Sequence, residues 1–176
     1  MKSVMISIRP EWVAKIMSGE KTVEVRKTVP KLPTPFKCYI YETQGKTNTP
    51  WIDEEGHMIF RGRGEVVAEF VCNDIRNITA HDFIVREDAE KALKGSGLTP
   101  QDAKDYAGWK PGMQRHECKP IYGWRISGLK IYDKPKKITD FSVIRMIPVE
   151  YAYGTAKERY TLERPPQSWC YVEELR

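Results

Sequence analysis

Between residues 4 and 27 the hydrophobic period changes twice. Val4, Ile6 and Ile8 alternate with Met5, Ser7 and Arg9, the two-residue repeat of a strand. Pro10 then suits the first position of a helix, and Glu11 suits its positive end. Trp12, Val13, Ile16 and Met17 recur at helical spacing, and Gly19 is placed to end the helix in the left-handed conformation. From Lys21 to Lys27 the alternation returns, with Val23 and Val25 on one side and Thr22, Glu24 and Arg26 on the other. An opening of strand, short helix and strand commits the chain to mixing both kinds of element.

The remainder keeps that mixture. Pro30, Pro33 and Pro35 mark an irregular loop. Lys37 to Thr43 reads as a strand. Residues 44–63 read as an excursion, in which Trp51-Ile52 and Met58-Ile59-Phe60 flank Asp53-Glu54-Glu55-Gly56 as a hairpin. Glu65 to Cys72 is a strand rich in Val and Phe. Residues 79–107 are mostly helical, broken at Gly95-Ser96-Gly97 and restarted by Thr99 as a cap with Pro100 behind it. Ile121 to Tyr132 is a long strand bent at Gly128. A short strand around Ile138 to Ile147 follows, and Ser168 to Val172 closes the chain. Helices inserted between dominant strands predict an α+β domain on a curved or barrel-like sheet.

At 176 residues the chain is sized for one domain, 1–176, with 44–63 as its embellishment. Hydrophobic residues at 40% and charged residues at 30% exclude wholesale disorder. No apolar run reaches membrane-spanning length, and the first ten residues hold too short a run for a secretion signal. Cys38, Cys72, Cys118 and Cys170 lie far apart with no CxxC pair, so reduced thiols and a cytoplasmic location are expected. His116 and Cys118 flank Glu117, but two ligands do not make a zinc site, and His57 and His81 are remote in sequence. No metal and no cofactor are expected.

The net charge of +5 is weak evidence as a total, but its distribution is uneven. Residues 1–37 hold eight basic and three acidic residues, and residues 110–137 hold eight and two. The chain between and after them is acidic or near neutral. A fold that joins the two basic segments makes one positive face of the kind that attracts phosphates.

The segment with the most chemistry is Gly19-Glu20-Lys21-Thr22-Val23-Glu24-Val25-Arg26. Thr22, Glu24 and Arg26 share one strand face and Lys21 stands at its entry. A Glu–Arg pair two residues apart either holds a guanidinium fork toward a ligand or forms an ordinary surface ion pair. Here the chain resembles a known family. Ser7-Ile8-Arg9-Pro10, Ile16-Met17-Ser18-Gly19 and Glu20 to Arg26 resemble the start of ASCH (activating signal cointegrator homology) domains, a branch of the PUA-like superfamily. Gly64 to Phe70 resembles that family's second core strand, and Tyr122-Gly123-Trp124-Arg125-Ile126-Ser127 with Leu129 to Tyr132 its long strand. Arg164-Pro165-Pro166-Gln167-Ser168-Trp169-Cys170-Tyr171 resembles the ending of a subgroup found in bacteria and their phages. Residues 44–63 and 142–163 match least.

The resemblance implies a PUA-like mixed β-barrel with a cleft beside the signature strand. It implies binding of RNA, another nucleic acid or a nucleotide-like ligand, and no membrane. Lys21, Glu24 and Arg26 would line the cleft, with Arg9 and Thr22 as neighbours. Lys27, Lys31, Lys37, Lys110, Arg115, Lys119, Arg125 and Lys130 are candidate phosphate contacts. Tyr122, Trp124 and Trp169 are candidate stacking platforms, with Trp109 and Trp51 behind them. Tyr122, Trp124 and Ile126 share a strand face, an arrangement equally suited to a core.

An enzyme reading accompanies the resemblance. One branch of the family hydrolyses acyl groups from modified cytidine with a lysine, a threonine nucleophile and a glutamate. The lysine matches Lys21, but the nucleophile position holds Glu24, with Thr22 only adjacent. Glu87 and Glu90 are the only glutamates near the third position. Without a hydroxyl there the covalent route fails. Lys21 and Glu24 remain candidates for acid–base chemistry, such as metal-independent RNA cleavage. Binding is the favoured reading, and the residues leave oligomeric state open.

Overall fold

The computed structural model describes residues 2–148 and 155–175. Its strands and helices, in chain order, are β1 (Lys2–Ile8), α1 (Pro10–Met17), β2 (Val23–Arg26), β3 (Phe36–Glu42), β4 (Lys46–Ile52), β5 (Met58–Arg61), β6 (Val66–Ile78), α2 (Arg86–Leu93), α3 (Pro100–Ala107), β7 (Ile121–Lys136), β8 (Ser142–Pro148), β9 (Thr155–Thr161) and β10 (Trp169–Glu173). The α+β class is as expected. Six strands share a sheet in the order β10-β1-β3-β6-β7-β2, and β4-β5 and β8-β9 are separate pairs. Closure into a barrel would require the edge strands β10 and β2 to pair. They do not, so the sheet stays open.

The chain divides into two compact units whose boundaries fall inside α1, β6 and β7. The first holds Met1–Ala14, Lys37–Phe70 and Leu129–Arg176. Here β1 runs parallel to β3, with Val4 opposite Cys38, and antiparallel to β10, with Val4 opposite Tyr171. Alternation suggested a strand with one wet face. Instead every residue from Ser3 to Ile8 is buried, because β1 lies between two partner strands and is covered on both faces. Ser7 is accommodated by donating its Oγ–H to the Pro166 carbonyl at 2.6 Å. Met5, Tyr39, Tyr41, Val66, Phe141 and Val172 form this unit's core.

The second unit holds Lys15–Phe36 and Val71–Gly128. Its core gathers Val25 of β2, Ile78 of β6, Ala92 and Leu93 of α2, Ala103 of α3 and Ile121 of β7. Helix α3 starts as its sequence indicates. The Thr99 side chain accepts from the Asp102 N–H, Pro100 follows, and Gly108 ends the helix with φ 80°. Strand β2 comes from the first basic segment and β7 from the second, and the two pair antiparallel. The joining of the basic segments is thus a direct strand contact. No helix among the described residues is long and apolar enough to cross a membrane.

Candidate nucleic-acid interface on strands β2 and β7

The register of β2 on β7 sets the site. Val23 faces Arg125, Glu24 faces Trp124, Val25 faces Gly123 and Arg26 faces Tyr122. Directly opposed residues share a face, so Glu24, Arg26, Tyr122 and Trp124 stand together on one side. Val25 is on the other side, in the core with α2 and α3. Gly123 is required there, since a Cβ would come within 3.0 Å of Val23 Cγ1.

The entry to β2 is held by the Gly95-Ser96-Gly97 break. Thr22 N–H and Val23 N–H both donate to the Gly95 carbonyl, at 2.8 and 2.9 Å. Gly95 adopts φ 80°, and a Cβ on it would collide with Thr22 Oγ1. This docking buries the Lys21 side chain to 3% exposure. Its Nζ donates to the Ser96 carbonyl at 2.5 Å and lies 3.4 Å from Glu24 Oε2. The other Glu24 oxygen, Oε1, takes Arg26 Nη2 at 3.1 Å. One buried carboxylate therefore holds two cations, one on each oxygen. Burial lowers the Lys21 ammonium below its usual range, opposed by the attraction of Glu24. Tyr106 of α3 completes the set. Burial raises its hydroxyl above the usual range, and the Arg26 guanidinium donates to it and opposes that rise. Lys27 lies 5.2 Å from the Tyr106 ring centre.

The structure thus brings together Lys21, Glu24, Arg26 and Tyr122, and adds Tyr106 and the Ser96 carbonyl. Tyr106 escaped notice because a lone tyrosine at a helix end has no periodic signal. Ser96 was visible only as part of a breaker. Thr22 is exposed and takes part through its backbone, its carbonyl accepting from Ile126 N–H at 2.9 Å. Arg125 is exposed on the opposite strand face from Tyr122. Arg9 belongs to the first unit, where its Nε lies 3.6 Å from Glu11 Oε1.

Trp124 needs correcting as a stacking platform. It is 0% exposed, with its ring edge-on to Phe36 at 5.9 Å between centres. Its neighbour on the same face, Tyr122, is half-buried and keeps an open side. Trp109 is half-buried and pinned, edge-on to Phe83 at 5.0 Å and donating Nε1–H to the Lys119 carbonyl at 2.8 Å. Trp169 is edge-on to Tyr171 in the first unit. Glu87 and Glu90 are exposed on α2, and Glu90 pairs with Arg86. Among the described residues, Asp53, Glu55 and His57 group their donor atoms within 4.8 Å, but Asp53 Oδ1 accepts from the Glu55 and His57 N–H groups as part of a turn. All four thiols are free, Cys38 and Cys72 buried and the other two half-buried. Burial pushes the Cys72 thiol up to about 12.

Comparison with known proteins places this geometry. The sequence model of the ASCH domain matches residues 6–123, which include β1, α1, β2 and the start of β7. The chain belongs to the ASCH domain family. Members of that family are generally RNA-binding, PUA-like domains. The crystal structure of ASCH from Zymomonas mobilis resembles this ASCH domain with a TM-score of 0.52 at 17% identity, covering 98% of this chain and 88% of that one. Two single-residue variants of that protein give the same TM-score at 18% identity, covering 98% and 99% of this chain and 89% and 92% of theirs. That likeness establishes the PUA-like fold. It also extends over the tail beyond residue 123, where the sequence match stops. No curated protein matches the chain.

Proposed function

We propose that this ASCH domain binds single-stranded RNA at the exposed end of the β2–β7 pair, with Arg26 as the principal contact. The observation that supports it is the fixed guanidinium. Glu24 Oε1 and the Tyr106 hydroxyl hold Arg26, while Tyr122 stands opposite it on β7. A guanidinium immobilised between two tyrosines suits a phosphate contact beside a base stacked on an aromatic face. Lys21 and Glu24 act from below as positioning residues, because neither is more than 6% exposed. Lys27, Lys110, Arg115, Lys119 and Arg125 are exposed around the same unit, and none of them has a carboxylate partner among the described residues. They supply the long-range attraction.

The same burial disfavours hydrolysis. A scissile bond does not reach Lys21 or Glu24 without displacing Arg26, and Glu24 offers no hydroxyl. Fluorescence anisotropy with a short labelled single-stranded RNA tests the reading. Affinity is expected to fall as salt rises, Arg26→Ala to weaken binding by roughly ten-fold or more, and the recovered RNA to be intact. Arg26→Ala protein that is folded by circular dichroism and binds as tightly as wild type would overturn the site. Shortened RNA would overturn the binding-only reading.

A further inference from the structure

The β4–β5 hairpin has two unlike faces. On the inner one Trp51 faces Ile59 across the strands, both half-buried. The Arg63 guanidinium lies 4.5 Å from the Trp51 ring centre, and its Nη1 donates to Glu42 Oε2 at 3.1 Å. Glu42 is 3% exposed at the end of β3. Trp51 Nε1–H donates to the Arg61 carbonyl at 2.7 Å. These contacts fix the hairpin and decide which face points out.

On the outer face Ile52 stands opposite Met58, and Phe60 follows two residues on. The three are 58%, 57% and 56% exposed. Adjacent large apolar side chains in one bare patch mark an interaction site. Charge is sorted along the same hairpin. Glu54 and Glu55 are exposed at its tip, and Lys46 and Arg61 are exposed cross-strand partners at its base. None of these four forms an ion pair among the described residues. An element with an anionic tip, an apolar middle and a cationic base is complementary to itself turned end for end.

We infer that this face docks a second copy of the chain. Two hairpins pack face to face about a two-fold axis, with Ile52, Met58 and Phe60 meeting the same residues of the other copy. The tip acids of each then reach the base cations of the other, as an isologous interface requires. RNA suits this face less well, since the tip acids repel phosphates and two of the three apolar residues are aliphatic.

Sedimentation equilibrium over a wide concentration range tests it. Wild type should show a reversible monomer–dimer equilibrium, weakened roughly ten-fold or more by Phe60→Asp. The double variants Glu54→Lys/Glu55→Lys and Lys46→Glu/Arg61→Glu should each dissociate. Mixed in equal amounts they should form a heterodimer, a recovery that loss of folding does not mimic. A wild type that is monomeric throughout, a dimer indifferent to Phe60→Asp, or charge variants that fail to recover on mixing would overturn the inference. Monomeric wild type that loses RNA affinity on Phe60→Asp would also overturn it and assign the face to nucleic acid.

Discussion

Glu24→Ala is expected to destabilise the protein by about 3–5 kcal/mol, because it leaves two buried cations without their shared carboxylate. Glu24 is 6% exposed and holds Lys21 Nζ at 3.4 Å and Arg26 Nη2 at 3.1 Å. An exposed ion pair lost from the surface would cost only about 0–1 kcal/mol, so thermal or urea unfolding separates the two pictures. The pH dependence has a definite sign. Burial depresses the folded pKa of Lys21 below 10.5. Above that folded value Lys21 is neutral in the fold but still protonated when unfolded, so the unfolded chain binds more protons and stability rises with pH toward 10.5. Without Glu24 the depression deepens and the window opens at lower pH. The Glu24→Ala deficit is therefore largest near neutrality and shrinks on the alkaline side. A deficit that grows with pH would contradict the buried network.

Trp124→Ala is expected to cost a similar amount, about 3–5 kcal/mol, through the cavity it leaves. At this chain length that lowers Tm by on the order of 10 °C. Trp124 is fully buried against Phe36, so a stacking role would predict the reverse pattern, with stability kept and RNA affinity lost. Affinity measured well below the variant's Tm should stay close to wild type. Tyr122→Ala should behave oppositely, keeping most of the stability and losing affinity, since Tyr122 is the half-buried member of that face.

The contrast between these two aromatics shows where sequence reasoning stops. Alternation placed Tyr122 and Trp124 on one face and was right about the face. Burial along it depends on Phe36, which lies far from both in sequence. Local signals were readable wherever the determinant was local. Examples are the period changes that make β1, α1 and β2, the Gly19 stop at φ 79°, the Thr99-Pro100 start of α3 and the hairpin on either side of Asp53 to Gly56. The pairing of β2 with β7 is a long-range event that no period reports. Lys21 reads as a solvated cation at a strand entry, and only the docking of Thr22 and Val23 on the Gly95 carbonyl puts it inside. β1 alternated as if half wet, yet it is covered on both faces. The resemblance carried the signature residues to the correct strand. It also carried a closed barrel, which the unpaired edges of β10 and β2 do not form.

The most direct measurement is photo-crosslinking of a 4-thiouridine-substituted single-stranded RNA to the intact chain, with the attachment sites mapped by mass spectrometry. Binding at the β2–β7 end predicts crosslinks on Tyr122 and Tyr106 that disappear with excess unlabelled RNA and weaken in Arg26→Ala. Crosslinks that map only to residues outside the second unit, unchanged in Arg26→Ala, would contradict it.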